Sequence, residues 1–303
     1  MDNISDICAN CGKAEEESDK LKLCTACKLV KYCSRDCQIA HRPQHKKECR
    51  KRAAELHDIE LFKQPPNPYG DCPICFLRMP SLSSGSIFNS CCGKVICSGC
   101  SNAPVYDDQG NEVDNKKCAF CRTPWPDNNI EELKKRRRKR VEVGDAVAMF
   151  YVGYFYSKGS RGYPQDYEKA LELYHRAAEL GYAMAYNNIG YAYMYGEGMD
   201  VDKKKAVHYW ELAAIGGDVT ARHNLGIRAN KAGNIDRALK HHMIATRGGN
   251  SDSLEAVKEL YSKGHASKEE YTKALRSYQT YLGEIKSPQR DKAAAARESY
   301  RYY

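Results

Sequence analysis

The 303-residue sequence predicts a multidomain chain: two small, cysteine-organised modules followed by an all-α αα-hairpin repeat solenoid. Three observations predict it. All 15 cysteines lie between Cys8 and Cys121, so residues 122–303 contain none. Of the 22 tyrosines, 19 follow Arg140. From residue 141 onward a segment of helical period recurs, its starting positions separated by 36, 32 and 36 residues.

Composition narrows the function classes. The chain is polar, with a mean hydropathy of -0.70 and 29% charged residues. It contains no run of 18 apolar residues, which argues against a transmembrane helix and a membrane partner. Its start, Met1 to Asp6, lacks the basic patch and apolar stretch of a signal peptide, so an intracellular compartment (cytoplasm, nucleus or both) is expected. An odd cysteine count and repeated CxxC pairs speak for metal thiolates rather than a disulfide framework.

Residues 1–52 form the first expected module. Cys8-x2-Cys11, Cys24-x2-Cys27, Cys33-x3-Cys37 and His45-x3-Cys49 supply eight donors, enough for two tetrahedral zinc sites. The x2 pairs suit tight knuckles, and the x3 spacings place donors one helical turn apart. A short helix is expected from Ser34 to Cys49, with Pro43 marking a break or the start of a turn. This segment has too little apolar material to fold unaided, and each zinc supplies on the order of 10–16 kcal/mol at neutral pH. The text Cys24-Thr-Ala-Cys27, Lys31-Tyr-Cys33-Ser, Cys37-Gln, Ala40-His41 and His45-Lys-x2-Cys49 resembles the MYND-type zinc finger. That resemblance implies interleaved binding, with Cys8, Cys11, Cys33 and Cys37 on one zinc and Cys24, Cys27, His45 and Cys49 on the other. It also implies a module that binds short proline-containing peptides. His41 stands where the family usually has tryptophan and reads as a packing or surface residue.

Residues 53–71 end in Gln64-Pro65-Pro66-Asn67-Pro68-Tyr69-Gly70 and read as a linker. Residues 72–126 hold the other eight cysteines: Cys72-Pro-Ile-Cys75, Cys91-Cys92, Cys97-x2-Cys100 and Cys118-Ala-Phe-Cys121-Arg-Thr-Pro124. This pattern resembles the RING-type zinc finger, a cross-braced two-zinc fold. The family's usual histidine position is taken here by Lys94, and a protonated lysine has no lone pair for zinc. Cys91 can replace it, which gives Cys72, Cys75, Cys97 and Cys100 on one zinc and Cys91, Cys92, Cys118 and Cys121 on the other. Gly93 supplies backbone freedom beside the adjacent pair. The alternative is that Cys91 or Cys92 is a spectator and this site is incomplete. The resemblance implies that Ile74, Arg122 and Pro124 contact a ubiquitin-conjugating enzyme and its bound ubiquitin. The rival reading is that Ile74 packs locally and Arg122 is a solvated charge.

The helical array is expected over residues 127–296, beginning with a basic helix at 130–140 and fraying beyond Ala296. The net charge of +9 owes much to seven consecutive basic residues, Lys134 to Arg140. Acidic Glu131 and Glu132 at the start of this run and basic residues at its end suit the helix dipole. A nuclear localisation signal or phosphate-binding patch is a further reading, and it does not exclude the helix. No duplex-binding motif accompanies the run, so specific nucleic-acid binding is not expected. In the array, Lys169-Ala-Leu-Glu-Leu-Tyr-His-Arg-Ala-Ala recurs as Lys205-Ala-Val-His-Tyr-Trp-Glu-Leu-Ala-Ala and as Arg237-Ala-Leu-Lys-His-His-Met-Ile-Ala-Thr. A looser copy starts at Lys273. Each is preceded by a partner segment of the form Ala148-x4-Gly153, Ala185-x4-Gly190 or Ala221-x4-Gly226. These segments resemble Sel1-like repeats, which stack as αα-hairpins and bind proteins on a concave face. Most of the tyrosines are expected in the seams, and His175, His208, His223, His241 and His242 read as ordinary residues without a catalytic constellation.

Together these readings imply a protein-interaction protein with four zinc ions and protein partners. A RING-type E3 ubiquitin-protein ligase, acting by positioning and without a covalent catalytic residue, is the first expectation. A non-catalytic zinc-stabilised adaptor or scaffold is the alternative.

Overall fold

The computed structural model describes residues 6–17, 20–81, 85–106, 108–113, 116–126 and 129–303. The first five residues, on which the expectation about a signal peptide rests, lie outside that set. The chain divides into two compact units, Met1–Lys63 and Gln64–Tyr303.

In the first unit, β1 (Lys22–Leu23) pairs antiparallel with β2 (Lys31–Tyr32) and carries the chain into α1 (Arg35–Phe62). Ser34 caps α1 by accepting a hydrogen bond from the Cys37 N–H at 3.2 Å. The helix differs from expectation twice. It runs through Pro43 without a break, and it continues to Phe62, past the expected end of the module. Proline removes one N–H from the helical ladder, but α1 carries candidate metal donors on both sides of Pro43, Cys37 before and His45 and Cys49 after, each gathered with cysteines outside the helix. The expected 53–71 linker is therefore helical in its first half.

The second unit opens with the proline-rich segment and a second cysteine module. There β3 (Ser86–Asn89) pairs with β4 (Lys94–Cys97), followed by the short helix α2 (Ser98–Ser101) and the pair β5 (Val105–Tyr106) and β6 (Glu112–Val113). The basic run forms α3 (Ile130–Glu142), capped by Asn129. Its cations are largely engaged. Arg136 binds Glu132 and the Pro124 carbonyl, Arg137 lies over the Phe155 ring, and Arg140 pairs with Asp145.

Eight antiparallel helices follow as four hairpins: α4 (Ala146–Lys158) with α5 (Tyr167–Glu179), α6 (Ala183–Tyr195) with α7 (Lys203–Ile215), α8 (Val219–Lys231) with α9 (Ile235–Arg247), and α10 (Ser251–Ser262) with α11 (Lys268–Ile285). Asp145, Asp166, Asp202, Asp218, Asn234 and Asn250 cap α4, α5, α7, α8, α9 and α10 with side-chain oxygens, while α6 begins after Tyr182 without a side-chain cap. The sequence repeat has a direct packing cause. Tyr174, Trp210 and His242 occupy corresponding places on successive second helices. Each lies against the bare backbone of Gly153, Gly190 or Gly226, where an added Cβ would come within 2.9, 2.6 and 2.6 Å. His242 is thus the third repeat's seam residue. Burial holds its imidazole neutral, pushing its pKa down to about 4.

The end of the chain also departs from expectation. After α12 (Pro288–Ala296), Tyr302 is fully buried and donates to Asp291 at 2.6 Å rather than fraying. The proline-rich segment, expected as a free connection, lines a shared cleft with Asp218, Val219, Arg222 and Ile244 of the array. Gly217 lets it in: its φ is +97°, and a Cβ there would meet the Pro66 carbonyl oxygen at 2.2 Å.

Candidate metal centres and partner surfaces

The structure gathers fifteen cysteines and one histidine into four groups of four. They are Cys8, Cys11, Cys33 and Cys37; Cys24, Cys27, His45 and Cys49; Cys72, Cys75, Cys97 and Cys100; and Cys91, Cys92, Cys118 and Cys121. Within each group all donor atoms lie within 4.8 Å of one another. Sulfur–sulfur separations include 3.6 Å for Cys11–Cys33, 3.8 Å for Cys24–Cys49, 3.8 Å for Cys75–Cys97 and 3.4 Å for Cys91–Cys121. A tetrahedron of sulfurs about 2.3 Å from zinc has edges of about 3.8 Å. All fifteen thiols are free of disulfides. The donor sets and their spacing fit zinc.

Local backbone makes each group. In the first module the Cys24–Cys27 knuckle closes on itself, with the Lys28 N–H donating to the Cys24 carbonyl, and places Cys27 Sγ 3.2 Å from His45 Nε2. In the second, the Phe76 N–H donates to the Cys72 carbonyl and the Arg122 N–H to the Cys118 carbonyl, the same turn used twice more. Phe76 and Arg122 follow these knuckles with φ of +57° and +61°. Adjacent Cys91 and Cys92 are both in the fourth group. The turn that contains them is tight, with the Cys92 and Gly93 N–H groups both donating to the Asn89 carbonyl. Lys94 is outside every group, exposed, its ammonium 5.9 Å from the Phe120 ring centroid.

His41, too, belongs to no group. Its ring stacks on His45 at 5.5 Å with 12° between planes, and its Nδ1 lies 3.0 Å from the Tyr32 hydroxyl. It packs against the candidate donor His45, a contact foreshadowed only by the i, i+4 spacing of the two histidines.

Two clefts offer room for partners. One, of about 440 Å³ in the first unit, is lined by Thr25, Tyr32, Gln38 and exposed Ile39, with Arg35, Arg42, Lys46 and Arg50 around them. The other, of about 310 Å³ in the array, lies between Tyr154, Tyr174, Asn187, Tyr191 and Glu197. On the second cysteine module, Ile74 is 36% exposed, Phe76 77% and Phe120 41%, and Arg122 and Pro124 are also open. Among the described residues, no helix is long and apolar enough to cross a membrane.

Comparison with known proteins agrees with parts of this architecture. Over 103 residues the chain is 34% identical to the ERAD-associated E3 ubiquitin-protein ligase component HRD3B of Arabidopsis thaliana, which covers 34% of this chain and 16% of that protein. It is 31% identical over 86 residues to the E3 ubiquitin-protein ligase DA2 of the same plant, covering 28% of this chain and 17% of the relative. The chain thus spans less than a fifth of either relative's length. A crystal structure of a Sel1 repeat protein from Oxalobacter formigenes superposes with a TM-score of 0.44 at 29% identity, covering 56% of this chain and 66% of that one. Residues 8–49 match the MYND finger family, and residues 146–182 and 183–218 each match the Sel1 repeat. The chain therefore carries a MYND finger and, further on, an all-α array whose first two hairpins match the Sel1 repeat.

Proposed function

We propose that this protein is a zinc-stabilised adaptor of the ubiquitin system, which joins protein partners through its MYND finger and its Sel1 array. The observation that carries this reading is the completeness of the four donor groups. Zinc with four protein donors keeps no open position for substrate or activated water, so its contribution is to folding. Function then falls to the surfaces. The MYND cleft takes a short proline-containing peptide against Ile39 and Tyr32, and the open tyrosine-lined cleft of the array takes a second partner. The similarity to HRD3B, named as a component of a ligase, supports an accessory role. Reduced thiols fit an intracellular compartment, cytoplasm or nucleus.

A second reading has its own support. Ile74, Phe76 and Phe120 are each exposed, as are Arg122 and Pro124; Ile74, Arg122 and Pro124 hold the positions with which a RING-type finger meets a ubiquitin-conjugating enzyme, and DA2 is named as an E3 ligase. Under this reading residues 72–126 position a charged conjugating enzyme, and no residue of this chain forms a covalent intermediate.

One experiment separates the two. Ubiquitin-chain formation is measured with the full chain and a panel of conjugating enzymes, beside Ile74→Ala and Arg122→Ala variants of verified zinc content. The adaptor reading predicts no chains from zinc-replete protein. Chains made by the wild type and lost in both variants would overturn it in favour of the ligase.

A further inference from the structure

Arg290 is among the largest fully buried side chains of the molecule, and it sits against a metal centre from 190 positions beyond Cys100. Its Nη1 donates to the carbonyls of Arg78 and Ile285, both at 2.7 Å. Its Nη2 donates to the Leu77 carbonyl at 3.3 Å and points at Cys75 Sγ, 3.9 Å away. One guanidinium thus holds the backbone just after the Cys72–Cys75 knuckle to the end of α11, with a donor sulfur of the third group beside it. Close approach is built in on the other side. A Cβ on Gly99, between Cys97 and Cys100, would lie 2.8 Å from the Arg290 backbone nitrogen. The rest of the terminus follows: Tyr302 packs where a Cβ on Gly85 would fall, and the Ser98 hydroxyl meets the Tyr300 carbonyl at 3.4 Å.

We propose that Arg290 is the charge-balancing and anchoring residue of the Cys72, Cys75, Cys97 and Cys100 zinc centre, and that zinc there keeps the C-terminal segment 287–303 docked on the module. This rests on the reading of the four groups as zinc sites. The physical case has two parts. Four thiolates around a divalent cation leave a net charge of about −2, and a buried anion of that size needs a compensating cation within contact distance. Arg290 lies in contact with that centre. The second part is geometric. The carbonyls of Leu77 and Arg78 stand where Arg290 needs them because the knuckle is closed, with the Phe76 N–H on the Cys72 carbonyl and the Cys72 N–H on the Leu77 carbonyl. Metal that fixes the knuckle fixes the docking site of α12, and by linkage a docked α12 slows loss of the metal.

The test uses the full chain. Zinc release on chelator challenge is followed by native mass spectrometry in wild type, Arg290→Gln and Arg290→Lys. In parallel, hydrogen exchange of residues 288–302 is measured in the wild type before and after chelation. The expected result is a species of Arg290→Gln that loses one zinc on the order of tenfold faster than wild type, with the other three unchanged and Arg290→Lys intermediate. The exchange arm expects 288–302 to lose protection when the wild type loses that zinc, a readout that stands even where Arg290→Gln fails to fold. Equal release of all four zincs from wild type and Arg290→Gln, or an unchanged C-terminal segment in chelated protein, overturns the proposal. A wild type holding fewer than four zincs instead overturns the zinc assignment beneath it.

Discussion

The two cysteine modules have equal numbers of donors in the same interleaved pairing, yet they differ in what surrounds the donors. In both, the buried cluster is three donors and two other side chains: Cys8, Cys24 and Cys27 with Leu21 and Tyr32 in the first, and Cys72, Cys97 and Cys100 with Met79 and Ile96 in the second. The second is also braced by the array. Phe88 stacks on Tyr151 at 5.1 Å, the Ser81 N–H donates to the Tyr281 hydroxyl at 2.9 Å, and Arg290 and Tyr302 close over it from the chain terminus. The second module therefore shares its stability with the helices around it, whereas the first draws on its own strands, on α1 and on whatever metal its donors hold. The same donor pattern thus occurs in two packing contexts, and the packing decides how much of the stability falls to the metal.

That contrast is most sharply exposed by removing metal. Chelation of the full chain is expected to abolish hydrogen-exchange protection over residues 20–49, since about 10–16 kcal/mol per site is lost, while α4 to α9 stay protected. Protection of 20–49 that survives complete zinc removal would break the comparison.

A smaller effect of the opposite kind comes from the array. Trp210 is 3% exposed and fills the seam over Gly190, so Trp210→Ala is expected to cost about 3–5 kcal/mol in denaturant unfolding of the array. The zinc content should stay at the wild-type value. A loss of metal from the first module in this variant would show a dependence the account denies.

Gly217→Val probes the proline segment. A branched Cβ at φ +97° directed at the Pro66 carbonyl has to push the segment away, at about 1–3 kcal/mol. Faster exchange of residues 64–70, with the MYND finger untouched, is the expected signature. Unchanged exchange there would mean that the segment is not held by the array.

The smallest effect is on pH. Burial lowers His241 to about 3 and His242 to about 4, so both stay neutral when folded, while unfolded histidine takes up a proton near pH 6.5. The unfolded state then binds more protons between those values, and the array loses stability as pH falls below about 6.5. Buried Asp218 acts the other way: its pKa is raised to about 6, so its contribution is present at low pH and is lost as pH rises toward 6. His242→Tyr, which copies the residue at the same place in the first repeat, is expected to flatten the histidine part of the slope in array unfolding between pH 7.5 and 5. An identical slope in the variant would refute the assignment.

Much of this architecture was legible in the sequence, for physical reasons that also explain the gaps. Donor pairs and the Ala-x4-Gly repeat are local signals, because a knuckle and a helix seam each need particular residues at fixed spacing. The docked proline segment was not legible, since Gln64 to Gly70 has the composition of a linker whether or not Gly217 receives it. Nor was the length of α1: its only buried side chains are His45 and Leu61, so no apolar stripe marks it, and Pro43 argues locally for a stop. Arg290 and Tyr302 were hidden for a different reason. Their contacts on the second cysteine module lie more than 200 residues away in sequence, and an arginine or tyrosine near a chain end carries no sign of such contacts.

The central claim is that the four donor groups are complete zinc centres, and counting the metal tests it most directly. Native mass spectrometry of the full chain, purified without added chelator, is expected to show four zinc ions per molecule. Two or three, with the shortfall mapped to Cys91, Cys92, Cys118 and Cys121, would contradict it.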